Sequence, residues 1–199
     1  KPLGEVNGNS TADLISDMEA IREHLHIKHW IIFGGSWGSA LALAYANQYP
    51  QTIKALILRG IFLSRETELD WFLDEVKAFF PEAHQTLIHY LPEDKHDDLI
   101  KNYSALVFSN DLKISGPASI AWNQFEGGLL KLLPQAEENK TLTDEDIQNE
   151  IARARVQLHY IKDKCFIDGK KILVEVKKLK DIPTTIIQGR YDMVCPPIT

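Results

Sequence analysis

The run Phe33-Gly34-Gly35-Ser36-Trp37-Gly38-Ser39 constrains this 199-residue chain more than any other. It contains Gly-x-Ser-x-Gly and lies between a short apolar run, Trp30–Phe33, and a helical pattern, Ala40–Gln48. A serine on a sharp strand-to-helix turn is held in strained backbone with its hydroxyl exposed. Side chains two positions to either side are expected to collide with the turn, so glycines stand there. The turn also opens a helix, whose first N–H groups and dipole favour a developing negative charge. Ser36 is therefore the candidate nucleophile and the Trp37 amide a candidate oxyanion donor. A Walker loop is excluded, because no lysine lies near. A dinucleotide fingerprint is excluded because Ser36 stands where its second glycine belongs.

The flanking pattern supports a parallel sheet. Ser10 and Asp13 fit a capping box, and Leu14, Ile15, Met18, Ile21 and Leu25 recur at helical spacing, predicting a helix from Thr11 to near His26. Trp30–Phe33 reads as a buried strand, Ala40–Gln48 as a helix stopped by Pro50, and Ile53–Leu58 as a second buried strand ended at Gly60. Helix, strand, helix and strand in alternation mark an α/β fold.

From about Ser64 to Leu179 helical stripes replace strand signals. Leu69, Phe72, Leu73, Val76, Phe79 and Phe80 form one stripe, and Leu99, Ile100, Tyr103, Leu106 and Val107 another. A third helix is expected over Ser115–Leu133, carrying Ala121, Trp122, Phe125, Leu129 and Leu132. After a charged connector, Glu137–Lys140, Thr143 is expected to cap a long helix with Ile147, Ile151, Ala154, Leu158 and Ile161 on one face. Thr184–Gln188 is again a predicted buried strand. The sheet is thus expected to be interrupted by a helical insertion standing over the strand ends: residues 1–63 and 181–199 form the core and 64–180 the cap.

A nucleophilic serine needs a base and an orienting acid, in the chain order Ser, Asp or Glu, His. Asp192 follows the strand Thr184–Gln188, which places it at the same strand ends as Ser36. No histidine follows it. His24, His26 and His29 flank the first strand on the side away from the turn, and His84, His89, His96 and His159 lie in the helical insertion.

The remaining chemistry is mostly exclusion. With 22 Lys plus Arg against 28 Asp plus Glu the net charge is −6, a poor match to nucleic acid. No apolar stretch approaches the roughly 18 residues of a membrane span, and residues 1–10 do not resemble a signal peptide. Cys165 and Cys195 are too few for a disulfide framework and suggest a reducing, cytoplasmic compartment. No His/Cys/Asp cluster has metal-ligand spacing, so neither metal nor other cofactor is expected. The residues carry no signal of oligomeric state.

Gly34-Gly35-Ser36-Trp37-Gly38-Ser39, the following Leu-Ala-Leu-Ala-Tyr and Leu58-Arg59-Gly60-Ile61-Phe62 resemble the proline iminopeptidases (prolyl aminopeptidases) of the α/β-hydrolase superfamily. The resemblance continues through Trp71, Phe79-Phe80-Pro81-Glu82, Trp122-Asn123-Gln124-Phe125-Glu126, His159-Tyr160 and Gly189-Arg190-Tyr191-Asp192, and covers nearly the whole chain. It implies a partial α/β-hydrolase sheet with a helical cap, and a peptide substrate whose N-terminal proline is released through an acyl-enzyme. Ser36 would be the nucleophile, Asp192 the triad acid and the Trp37 amide an oxyanion donor. By the same similarity Glu126 would hold the substrate's amino group, and Phe62, Trp71 and Phe72 would surround the proline ring.

Three departures qualify it. The family's upstream His-Gly-Gly-Pro-Gly loop and opening strands are absent, and so is the catalytic histidine expected beyond Thr199. The chain therefore reads as a piece of a longer protein, expected to be inactive alone and to expose unpaired strand edges. In the third departure, Gln157 stands where the family carries a second amine-binding Glu. A neutral acceptor binds an ammonium less strongly than a charged one. The alternatives are a related esterase or amidase, or a non-catalytic binding protein of the same fold.

Overall fold

The computed structural model describes residues 4–131 and 141–199; Leu132, Leu133 and the connector Glu137–Lys140 lie outside them. The described residues fall into two compact units. One comprises Gly8–Leu69 and Lys164–Thr199. The other comprises Asp70–Asp163 with residues 4–7. The expected core and cap boundaries were 63/64 and 180/181.

In the first unit, α1 spans Thr11–His24. Ser10 Oγ accepts from Asp13 N and Asp13 Oδ2 from Ser10 N, at 3.3 and 2.9 Å, closing the anticipated capping box. Strand β1 (Trp30–Ser36) leads without a break into α2 (Trp37–Gln48), and β2 (Ile53–Ile61) follows. After the intervening helices the chain returns through α8 (Gly169–Glu175) to β3 (Thr184–Ile187). All pairings are parallel, in the order β1-β2-β3, with Phe33 opposite Ile57 and Ile57 opposite Thr185.

The core of this unit lies on one face of the sheet. Ile32, Leu56 and Leu58 meet Ile15, Leu43, Tyr45 and Ala46, with Ile172 and Leu179 beside them. Tyr45 ties α1 to α2: its hydroxyl hydrogen-bonds Glu19, which Arg22 also grips at 2.8–2.9 Å. The Arg22 hydrogen bonds are the main reason the Glu19 carboxyl titrates below its ordinary range.

Sheet burial departs from expectation. Only alternate residues of β1 are covered, leaving Ile31 and Phe33 exposed (Phe33 67%). Every residue of β3 is exposed. Continuous apolar runs predict strands covered on both faces. Among the described residues the core packs on one face alone, and β1 and β3 are edges. Beside β3 a groove of about 820 Å³ opens between Leu58, Leu173, Ile186 and Pro196.

In the second unit, α4 (Pro81–His89), α5 (Leu99–Val107), α6 (Leu112–Leu129) and α7 (Asp144–Lys162) pack around Val76, Leu87, Tyr103, Val107, Trp122 and Leu158. Tyr103 donates its hydroxyl to Leu87 O at 2.7 Å, and its ring lies 5.3 Å from that of Trp122. The predicted Thr143 cap is present and reciprocal with Asp146. The single stripe expected over residues 69–80 is broken. α3 (Glu66–Leu73), which contains the boundary between units, ends before a 3-10 turn at Glu75–Ala78. Phe79 is left 61% exposed. Pro81 disfavours helix at Phe80, whose φ is −130° and ψ 60°.

Candidate active site

Ser36 ends β1 and caps α2 with φ 54° and ψ −129°, left-handed backbone that costs a non-glycine residue about 1–3 kcal/mol. The surrounding structure enforces it. A Cβ on Gly34 would stand 2.3 Å from Gly38 O and 3.0 Å from Ala42 Cβ, so β1 and α2 approach this closely only because residue 34 has no side chain. The same argument fails at Gly38, where a Cβ would meet nothing within 4 Å, so the expected collision is one-sided.

A serine at a helix N-cap ordinarily spends its hydroxyl on the N–H of the second or third helical residue. Ser36 makes no such bond. The residue is exposed, and its Oγ lies 3.7 Å from Cys195 Sγ. The turn stands at the positive end of α2, with the Trp37 amide the first of its N–H groups. A serine hydroxyl beside backbone N–H groups at a positive helix end is an arrangement that can stabilise an oxyanion.

Asp192 lies at the same edge of the sheet. The strands are parallel, so Ser36, Ile61 and the loop after β3 all sit at the carboxyl ends. Gly60 lies between the Asp192 carboxylate and the Ser36 backbone: a Cβ there would be 3.3 Å from Asp192 Oδ2 and 4.0 Å from Ser36 N. Asp192 Oδ1 accepts from Cys195 N at 2.8 Å and Val194 N at 3.2 Å, which fixes the carboxylate in its turn. Burial pushes the Cys195 thiol up to about 11, so beside Ser36 it is a neutral neighbour at physiological pH.

Two residues of this framework were not site candidates in the sequence. Ser39 is fully buried; its Oγ donates to Ser36 O at 2.7 Å and accepts from Phe62 N at 3.1 Å, pinning the serine turn to the chain leaving β2. Gln188 accepts from Ile61 N at 2.9 Å and donates to Cys195 O at 2.7 Å, pinning the Asp192 turn to the same place. The bonds to Phe62 and Ile61 join segments distant in sequence, so no motif announces them. Phe62, partly buried, belongs to this unit.

The other expected binding residues belong to the helical unit. Phe72 is buried, its ring 5.4 Å from Phe125, and Trp71 lies against Phe79 at 6.1 Å. On α6 and α7, Trp122 Nε1 donates to Gln157 Oε1 at 2.6 Å, and Arg153 Nη2 meets Glu126 Oε2 at 2.7 Å.

A parallel sheet with a strained serine at the strand-to-helix turn after β1, and a carboxylate in the loop after β3, defines a class. The chain belongs to the α/β-hydrolase fold family, whose sequence profile matches residues 1–199. Within it the chain is similar to proteins called proline iminopeptidase. It is 39% identical over 197 residues to the probable proline iminopeptidase of Leptolyngbya boryana, covering 98% of this chain and 61% of that protein. It is 40% identical over 191 residues to that of Arabidopsis thaliana, covering 94% and 50%. For the Neisseria gonorrhoeae protein the identity is 38% over 198 residues, covering 98% and 62%. The chain thus spans about half to three fifths of the length of these curated relatives.

Proposed function

We propose that the natural protein is a serine peptidase that releases N-terminal proline from peptides. The observation that carries this reading is Ser36: left-handed backbone, an exposed residue whose side chain caps nothing, and its place at the N-terminus of α2. In this reading Ser36 Oγ attacks the carbonyl carbon of the proline residue and gives its proton to a histidine. That base comes from a part of the natural protein outside these 199 residues, since none follows Asp192. Asp192 orients the imidazole and stabilises its cation. The Trp37 N–H takes the oxyanion, the leaving amine departs with the histidine's proton, and water hydrolyses the acyl-enzyme.

The similarity to proline iminopeptidases supports proline as the acyl group. On that similarity Glu126 and Gln157 bind the free amino group, Phe62, Trp71 and Phe72 flank the ring, and residues 64–180 act as the cap over a core of 1–63 and 181–199. Free thiols at Cys165 and Cys195 fit a reducing, cytoplasmic setting. A second reading, an esterase or amidase with the same nucleophile, is favoured by one observation: the Glu126 carboxylate is already paired with Arg153.

The test uses the whole natural protein, a fluorophosphonate probe, a proline arylamide and a short-chain ester. One probe adduct on Ser36 and proline release lost in Ser36→Ala are expected. Labelling elsewhere, or undiminished turnover by Ser36→Ala, overturns the reading. Ser36-dependent turnover of the ester alone selects the second.

A further inference from the structure

Three bonds from side chain to side chain link α6 and α7. Trp122 Nε1 reaches Gln157 Oε1, Asn123 Nδ2 reaches Glu150 Oε2, and Arg153 Nη2 reaches Glu126 Oε2, at 2.6, 2.6 and 2.7 Å. The first two are anchored in the interior: Trp122 is 1% and Asn123 4% exposed. The third lies outermost. The Glu126 side chain is 21% exposed and that of Arg153 49%. The carboxylate is thus largely shielded from water, while the guanidinium is half exposed. A Cβ on Gly127, the residue after Glu126, would meet no atom within 4 Å.

The orientation of Gln157 follows from its partner. An indole N–H only donates, so Gln157 must turn its oxygen to Trp122 and present its NH2 elsewhere. The group standing where a second carboxylate would attract an ammonium therefore offers donors. With Arg153 on Glu126, the place that would recognise a free amino terminus holds one carboxylate, one guanidinium and one amide NH2.

We infer that Arg153 is a specificity-determining residue that competes with the substrate's ammonium for Glu126 and so weakens selection for a free N-terminus. The inference rests on the reading of Glu126 given above. A prolyl substrate with a free amine must displace the guanidinium, whereas an N-acylated one leaves the pair intact. An exposed ion pair of this kind has a formation constant of about 1.4–5, so only a fraction of the carboxylate is open at any moment. The apparent Kd of an amine is raised by the inverse of that fraction, roughly two- to sixfold.

The experiment compares whole natural protein with Arg153→Gln, Arg153→Lys, Glu126→Gln and the Arg153→Gln/Glu126→Gln pair, each checked for folding by circular dichroism. The substrates are a proline arylamide and its N-acetyl derivative. Arg153→Gln is expected to lower KM for the free amine two- to sixfold, with kcat moving far less and the N-acetyl substrate insensitive. Arg153→Lys, which keeps the charge, should stay within twofold of the parent. The gain should vanish in the paired variant. If Glu126→Gln raises KM for the free amine but Arg153→Gln does not lower it, the inference is overturned and the reading of Glu126 stands. If Glu126→Gln leaves KM where it was, that reading fails and the inference falls with it. Should Arg153→Gln not fold, a KM for Arg153→Lys that rises or falls more than twofold counts against the competition.

Discussion

Gly34→Ala and Gly38→Ala remove symmetric members of one motif, yet the structure assigns them opposite effects. At Gly34 the new methyl would lie 2.3 Å from Gly38 O and 2.8 Å from Gly38 C, against an ordinary contact near 3.4–4 Å. The obstructing atoms are backbone, so relief requires β1 and α2 to separate by about an ångström. Overpacking of this kind costs about 1–3 kcal/mol, and a backbone neighbour puts it at the upper end. At Gly38 the methyl enters open space inside α2, and replacing a helical glycine by alanine gains up to about 1 kcal/mol. The two alanines should therefore differ in stability by about 3–4 kcal/mol. Urea denaturation of the two variants in the whole natural protein, each against its parent, reads this as midpoints displaced in opposite directions. Indistinguishable midpoints, or a lower midpoint for Gly38→Ala, would show that the turn is not built on the close approach at Gly34.

Ser39→Ala should leave Ser36 O and Phe62 N without their buried partner, costing about 2 kcal/mol in urea denaturation and slowing fluorophosphonate labelling of Ser36. Stability should also fall on acidification through His84. Burial, more than any neighbour, holds its imidazole below the ordinary value of 6.5; Lys77 adds to this, while Asp74 and the Leu73 carbonyl oppose it. The unfolded chain then takes up a proton that the folded one resists, so the stability contributed by neutral His84 is present above about pH 6.5 and lost as pH falls below it. Urea midpoints at pH 7.5 and 5.5 should show this loss, and it should shrink in His84→Gln.

The sequence made legible whatever is encoded locally. Ser10 with Asp13 and Thr143 with Asp146 announce their helix starts because a cap needs only neighbours. The Ser36 turn is readable because a strand, two glycines and a helix occur in order. Burial was not readable in the same way. Ile31, Phe33, Ile186 and Ile187 look like core, yet each is more than half exposed, since apolar character says nothing of whether a helix covers that face. Phe79 fits a helical stripe that a proline two residues later interrupts. The supports of the site were invisible for a different reason. Ser39 to Phe62, Gln188 to Ile61 and Arg153 to Glu126 are bonds between distant segments, and common polar residues carry no mark of a partner far along the chain.

The order of strands has a consequence for how the protein is made. β2 and β3 are neighbours in the sheet, but Ile61 and Thr184 are separated by every helix from α3 to α8. At about 5–20 residues per second, a ribosome would deliver β3 roughly 6–25 s after β2. Helices of the intervening unit form from local contacts and need not wait. The sheet must, because parallel pairing across so long a loop gains nothing until the loop is closed. Throughout that interval the β3-facing edge of β2, flanked by Leu56, Ile57 and Leu58, is a template open to any other strand. The nascent chain is thus open to misassociation in the interval between β2 and β3, when the serine turn can already form but the loop that carries Asp192 has not yet emerged.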